Sequence, residues 1–241
     1  MSQHILEVKN LSKHYGALAA VDDISFSISE REIFALIGPN GAGKSTTLRM
    51  VTTILSPTGG DVLVADHSVH KDPAKVREVI SYLPEEAGAY KNLRGIDYLT
   101  FMAGLYAKDA QEVKESLEFA RGLTGLGNRL NDKISTYSKG MTRKLLLART
   151  VMSKPKLAIL DEPTSGLDII NAVEIRKSIK DLASHGMSVL LSSHNMLEIE
   201  FLSDRVGIMN KGKLLEVGTP AELKKKYNAT NLEEVFLAIV L

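Results

Sequence analysis

Residues 38–45 read Gly-Pro-Asn-Gly-Ala-Gly-Lys-Ser, and no other stretch constrains this chain as strongly. They follow the apolar run EIFALI at 32–37 and precede a segment that reads as a helix from about 44 to 54, where SPTGG breaks it. A glycine-rich loop between a buried strand and a helix lets backbone N–H groups converge at a helix N-terminus and close around phosphate oxygens. Lys44 adds a point charge suited to β- and γ-phosphates, and the Ser45 hydroxyl can ligate Mg²⁺. An ordinary glycine-rich turn requires neither the lysine nor the strand and helix on either side. The chain must therefore contain a strand–loop–helix unit built to hold phosphate.

The rest of the text alternates in the same way. Residues 5–9 and 24–28 switch between apolar and polar, as half-buried strands do, and 61–65 and 79–83 read as further strands. From 86 to 153 the spacing becomes helical, in DYLTFMAGLYA and in VKESLEFARGL, with Asp109 placed as an N-cap for the second. LAILD (157–161), MSVLLSS (187–193) and RVGIMN (205–210) read as strands, with helices expected at 168–183 and 196–202. Thr219, Pro220 and Glu222 form a helix start with a capping pair. The last residues put Leu232, Val235, Phe236, Ile239 and Val240 on one helical face, expected to pack on the chain's own core. Alternating β and α text implies a parallel α/β core. The expected organisation is one domain over 1–241, with the core at 1–85 and 154–241 and a helical insert at 86–153.

Composition removes several alternatives. A chain of 241 residues, 44% hydrophobic and 24% charged, can bury a full core and is neither fibrous nor extensively disordered. Thirty basic and 29 acidic side chains leave a net charge of +1, so nothing in the charge balance points to nucleic acid or a strongly membrane-attracted surface. The absence of cysteine excludes disulfides, thiolate zinc sites and cysteine nucleophiles, and fits a reducing cytoplasm. No apolar run is long enough to span a bilayer, and MSQHILEVKN is not a secretory signal, so the chain reads as soluble and intracellular. His67 and His70 follow a strand without a third ligand beside them and read as loop histidines. Lys224, Lys225 and Lys226 read as a solvated helix C-terminus.

LAILD runs into Glu162, so an apolar strand ends in two carboxylates, Asp161 and Glu162. A metal-organising aspartate and a general base are what nucleotide hydrolysis needs at that place. Upstream, Tyr137-Ser138-Lys139-Gly140-Met141 precedes the basic helix TRKLLLART; downstream come PTSGLD and Ser192-Ser193-His194, and near the start stands Tyr15 in KHYG. In this order the set resembles the ATP-binding-cassette (ABC) ATPases across essentially the whole chain. It matches their phosphate loop, signature, acidic strand, D-loop, switch histidine and adenine-stacking aromatic.

The resemblance implies a P-loop NTPase core with a mainly parallel sheet, an N-terminal antiparallel β-subdomain and an inserted helical subdomain. It implies that Tyr15 stacks on the adenine of ATP and that Gly38, Pro39, Asn40, Gly41, Ala42, Gly43, Lys44, Ser45 and Thr46 cradle its phosphates. Ser45, Glu85 and Asp161 would serve Mg²⁺, Glu162 would polarise the attacking water, and His194 would meet the γ-phosphate. Ser138 and Gly140 would complete the site of a second ABC subunit, with Asp168 at the seam between the two. The helical insert and the segment after Glu85 would dock an integral membrane permease, holding the chain at the inner face of the cell membrane.

Three positions depart from the common pattern. Lys139 and Met141 replace a glycine and the glutamine of the signature, and Glu85 stands where a glutamine is usual. The string YLPEE resembles subunits that serve two-component sodium and drug exporters, so an exporter's ATPase subunit is the leading reading. An importer's subunit differs in partner only. A ribosome- or DNA-associated ABC protein is disfavoured by the single cassette and the lack of a long coiled coil. A dead regulatory cassette is disfavoured by intact Lys44, Glu162 and His194.

Overall fold

The computed structural model describes residues 4–241. The chain opens with a long hairpin, β1 (His4–Tyr15) and β2 (Leu18–Ser29), joined across Gly16 and Ala17. Both strands run well beyond the alternating segments 5–9 and 24–28, because register shifts between Val8 and Leu11, and again up to His14, break the period of two without ending the ladder. β3 (Ile33–Ile37) leads into α1 (Lys44–Val51), followed by β4 (Gly59–Val64), β5 (His67–Ser68), α2 (Pro73–Val79) and β6 (Ile80–Leu83). Three helices follow, α3 (Gly95–Tyr106), α4 (Ala110–Thr124) and α5 (Lys139–Val151). The chain then alternates through β7 (Leu157–Asp161), α6 (Ile169–Ser184), β8 (Ser188–Ser193), α7 (Met196–Ile199), β9 (Arg205–Asn210) and β10 (Lys213–Gly218). It finishes with α8 (Pro220–Tyr227) and α9 (Leu232–Val240).

Two sheets result. β2-β1-β4-β5 is antiparallel, and β10-β9-β3-β8-β7-β6 is parallel except for the β10 edge. The central strands are buried on both faces, as near-continuous apolar runs in a parallel sheet require. Alternate residues divide between two cores. Phe34, Leu36, Ile159 and Leu190 face the antiparallel sheet and α1, while Ala35, Ile37, Leu160 and Leu191 face α3, α5 and α6. Phe34 stacks on Phe26 of β2 with centroids 5.1 Å apart, which locks the hairpin onto the central sheet. The fold is the expected P-loop α/β architecture.

Local signals act where the sequence placed them. Asp109 Oδ1 accepts from the Glu112 N–H at 2.8 Å, and Thr219 and Glu222 exchange both bonds of a capping box. Leu232 and Val235 are fully buried against the core and Phe236 and Ile239 are half-buried, while Val240 turns out to solvent. Two of the three lysines at the end of α8 are paired rather than merely solvated, Lys224 with Glu200 and Lys226 with Glu216. β10 and α2 carry no strong periodicity and were not legible. Among the described residues, no helix is long and apolar enough to cross a membrane.

Candidate functional site

The C-terminal ends of β3, β7 and β8 lie side by side, and each delivers part of one cluster. After β3 the chain turns at Gly38, where a β-carbon would come within 2.1 Å of the Met209 carbonyl oxygen. Gly43, at φ +103°, caps α1 in a left-handed conformation with Ala20's carbonyl pressed against it, so a side chain is excluded there as well. Lys44 is thereby folded back and buried. Its Nζ donates to the carbonyls of Gly38 (2.7 Å) and Pro39 (3.1 Å) and stands 3.8 Å from Glu162 Oε1. Gly41, Ala42, Gly43, Lys44, Ser45 and Thr46 line a cleft of about 440 Å³. Leu18, Ala19 and Ala20 of β2 and Lys211 and Gly212 of the β9–β10 turn close its other side.

β7 ends in the two carboxylates. Asp161 Oδ1 accepts from Ser45 Oγ (3.0 Å) and Ser192 Oγ (2.5 Å), and Oδ2 accepts from the Tyr82 hydroxyl (3.3 Å). Burial and the Asp161 charge push the Tyr82 phenol up to about 12, keeping it a donor. Ser192 also accepts from the Glu162 N–H (3.1 Å), so one hydroxyl on β8 ties the Asp161 carboxylate to the Glu162 backbone. Glu162 is 5% exposed and sits at φ +47°, a left-handed geometry of the kind that costs about 1–3 kcal/mol and needs surrounding structure to hold it. His194 Nδ1, just beyond β8, lies 2.9 Å from Glu162 Oε2.

Burial governs the electrostatics of this cluster. Desolvation raises the Glu162 pKa above the ordinary carboxylate value, against the opposing pull of His194 and Lys44. Desolvation likewise lowers Lys44, against Glu162, Asp161 and Glu85. A carboxyl whose affinity for protons has been raised, beside a buried cation and an imidazole, is suited to taking a proton from water.

Glu85 follows β6 and lines a cleft of about 420 Å³ together with Ser45 and Asp161, while its Oε1 accepts from Ser165 Oγ at 3.2 Å. Among the described residues no group of three or more His, Cys, Asp or Glu side chains could hold a metal by itself. Mg²⁺ is commonly bound by one or two carboxylates completed by substrate phosphates, and Ser45, Asp161 and Glu85, which line this cleft with Arg49 and Glu86, fit that mode.

The remaining sequence-selected residues are not gathered into this cluster. Tyr15 ends β1 with its ring half exposed, Lys13 Nζ 5.2 Å from the ring centroid. Ser138 caps α5, its Oγ accepting from the Met141 N–H, and Asp168 caps α6 by accepting from Asn171. Those two helix starts touch. A β-carbon on Gly140 would fall 2.3 Å from Asn171 Cγ, and Asn171 Nδ2 donates to Asp168 Oδ2 at 2.6 Å. The Lys139 side chain lies across Gly166, whose φ of +64° suits glycine. Ser138, Gly140 and Asp168 thus form a second polar group, apart from Lys44 and Glu162.

Sequence reasoning passed over Arg143. It is 8% exposed and spends its guanidinium on backbone carbonyls of two loops, Pro84 and Glu85 on one side and Asp161, Glu162 and Pro163 on the other. Its only textual signal is position, since Gly140, Arg143, Leu147 and Thr150 recur at the three- and four-residue spacing of the buried stripe.

A family model described as ABC transporter matches residues 21–165. The linearmycin resistance ATP-binding protein LnrL of Bacillus subtilis is 37% identical over 219 residues, covering 91% of this chain and 70% of that one. The lantibiotic transport ATP-binding protein SrtF of Streptococcus pyogenes is 34% identical over 234 residues, 96% of each. A solved ATP-binding subunit of an ABC transporter superposes with a TM-score of 0.87 at 28% identity, covering 98% of this chain and all of the other.

Proposed function

This chain belongs to the ABC transporter family, and we propose that it is the ATP-binding and ATP-hydrolysing subunit of an exporter, acting through a separate membrane permease. The observation that carries the reading is the convergence of Lys44, Glu162 and His194 at three adjacent strand ends, with Asp161 anchored to Ser45 beside them. Lys44 and the loop of residues 38–46, through the N–H groups of its non-proline residues, bind the phosphates of ATP. Glu162, held by Ser192 and His194, takes the proton of the attacking water, and His194 faces the γ-phosphate. Ser45, Asp161 and Glu85 would hold Mg²⁺, which when bound would supply charge neutralisation for the phosphates. Tyr15 stacks on the adenine.

The separate group of Ser138, Gly140 and Asp168 supports a second cassette as partner, each chain lending that group to the other's Lys44 cluster. Ile169 and Ile170, directly after Asp168, are strongly exposed, as a seam closed by another protein would leave them. We assign the helical segment 86–153 to the permease contact, on the strength of exposed Tyr90, Phe101, Leu105 and Tyr106. That contact would hold the chain on the cytoplasmic face of the membrane. The exporter direction rests on the resistance and lantibiotic-transport names of the relatives.

Phosphate release from ATP by the purified chain tests the reading. Mg²⁺-dependent release that disappears in Glu162→Gln is expected; no release from the parent, alone or with its permease, would overturn it.

A further inference from the structure

We infer that Arg143 is a positioning residue for Glu162, fixing the general base by holding the peptide carbonyls on both sides of it. The inference rests on the hydrolytic reading above. A guanidinium has five N–H donors in a rigid planar fork. Here Nε donates to the Pro163 carbonyl (2.8 Å), one terminal nitrogen to Pro84 and Glu85 (3.1 Å each), and the other to Asp161 (2.9 Å) and Glu162 (2.8 Å). Every donor is used, and every acceptor is main chain.

A buried cation without a carboxylate partner at hydrogen-bond distance is an expensive arrangement, and here its whole hydrogen-bonding capacity goes to shaping two loops. The consequence is sharpest at Glu162. Its φ of +47° is unfavourable for a side-chain-bearing residue, and both of its backbone groups are restrained, the N–H by Ser192 and the C=O by Arg143 together with the Ser165 N–H. Removing one restraint lets the backbone relax toward ordinary φ and swings the carboxylate away from His194. The same fork holds the Glu85 and Asp161 carbonyls, so the backbones of all three carboxylate residues proposed to serve ATP hydrolysis are tied to it. Arg143 also lies on α5, whose first turn carries Ser138 and Gly140.

Lysine keeps the charge but offers three donors on a flexible stem and cannot reproduce the fork. Arg143→Lys is expected to lower kcat by roughly 10- to 100-fold, the scale of a catalytic group displaced by about an ångström. The Kd for a fluorescent ATP analogue measured without Mg²⁺ should stay within about two-fold, because Lys44 and the phosphate loop are untouched. Hydrogen exchange should rise at the amides of 85–88 and at those of Glu162, Thr164 and Ser165 together and nowhere else. Lys144→Ala, which only removes a pair with Glu174, is the control expected to keep the parent rate. Parent-like kcat in Arg143→Lys, exchange spread over the whole of α5, or failure of both Arg143→Lys and Arg143→Gln to fold would each overturn the assignment. A parent that does not hydrolyse ATP would instead remove the functional reading itself.

Discussion

His194 Nδ1 stands 2.9 Å from one carboxylate oxygen of Glu162, while the other oxygen faces Lys44 Nζ at 3.8 Å. The buried carboxylate is thus held between an imidazole from one strand end and an ammonium from another. The hydrogen bond with His194 restrains its rotation, and neither neighbour neutralises it fully against burial.

This geometry makes Glu162 the group whose loss should separate binding from chemistry. Glu162→Gln keeps the shape and can still meet His194, so ATP affinity should persist. Turnover should fall by the ~10²–10⁴-fold typical of a lost general base. An ATP-bound dimer should then accumulate and be visible by size-exclusion chromatography with ATP and Mg²⁺. A variant hydrolysing at the parent rate would remove Glu162 from the role.

The raised Glu162 pKa has two consequences of definite sign. Hydrolysis requires the ionised form, so kcat should decline on the acid side with a midpoint above the ordinary value of 4.5. For stability, the native state holds its proton at pH values where the unfolded chain has released it, so stability falls as pH rises from 4.5 to the folded pKa. Glu162→Gln lacks this dependence. Its melting temperature relative to the parent should climb through that window and then level off; parallel curves for the two proteins would contradict the assigned direction.

How far these features could be read beforehand differs from residue to residue. The loop 38–45 and the carboxylates after LAILD declare themselves because their chemistry demands unusual residues at fixed offsets from a strand. Strand lengths in the β1–β2 hairpin were hidden by bulges, which break alternation while the ladder continues. Arg143 was hidden for another reason. A charged residue in helical text reads as solvent-facing, and only the positions of five distant carbonyls reveal that it is buried. Asn171 had no signal at all, since its contact with Gly140 exists only once α5 and α6 are packed.

The separation between the Lys44 cluster and the Ser138–Gly140–Asp168 group predicts complementation. Ser138→Arg places a long cation where the partner's nucleotide should meet a hydroxyl, so hydrolysis should be abolished while monomer affinity for ATP stays near the parent value. Lys44→Ala should be inactive because its own phosphate loop fails. In a mixed dimer, one composite site keeps both intact halves, and part of the parent activity should return. Mixed dimers that form, shown by differently tagged copies, yet remain inactive would argue against a shared site.

Glu85 permits the most discriminating test, because its carboxylate has two separable connections. It faces the cleft shared with Ser45 and Asp161, and it accepts a hydrogen bond from Ser165. At ~4 Å a charge pair is worth roughly 1 kcal/mol in water and about 4 kcal/mol at an effective dielectric of 20. A carboxylate therefore attracts Mg²⁺ and repels triphosphate on a comparable scale. The divalent cation is the larger local charge, so the attraction should dominate whenever the metal is bound. Glu85→Gln retains an acceptor for Ser165 but loses the charge. It should raise the Mg²⁺ concentration for half-maximal hydrolysis while Mg²⁺-free ATP binds as well or better. Ser165→Ala removes only the hydrogen bond and should leave that Mg²⁺ dependence alone. If the serine variant shifts it and the glutamine variant does not, Glu85 acts through its tie to Ser165 and not through the metal.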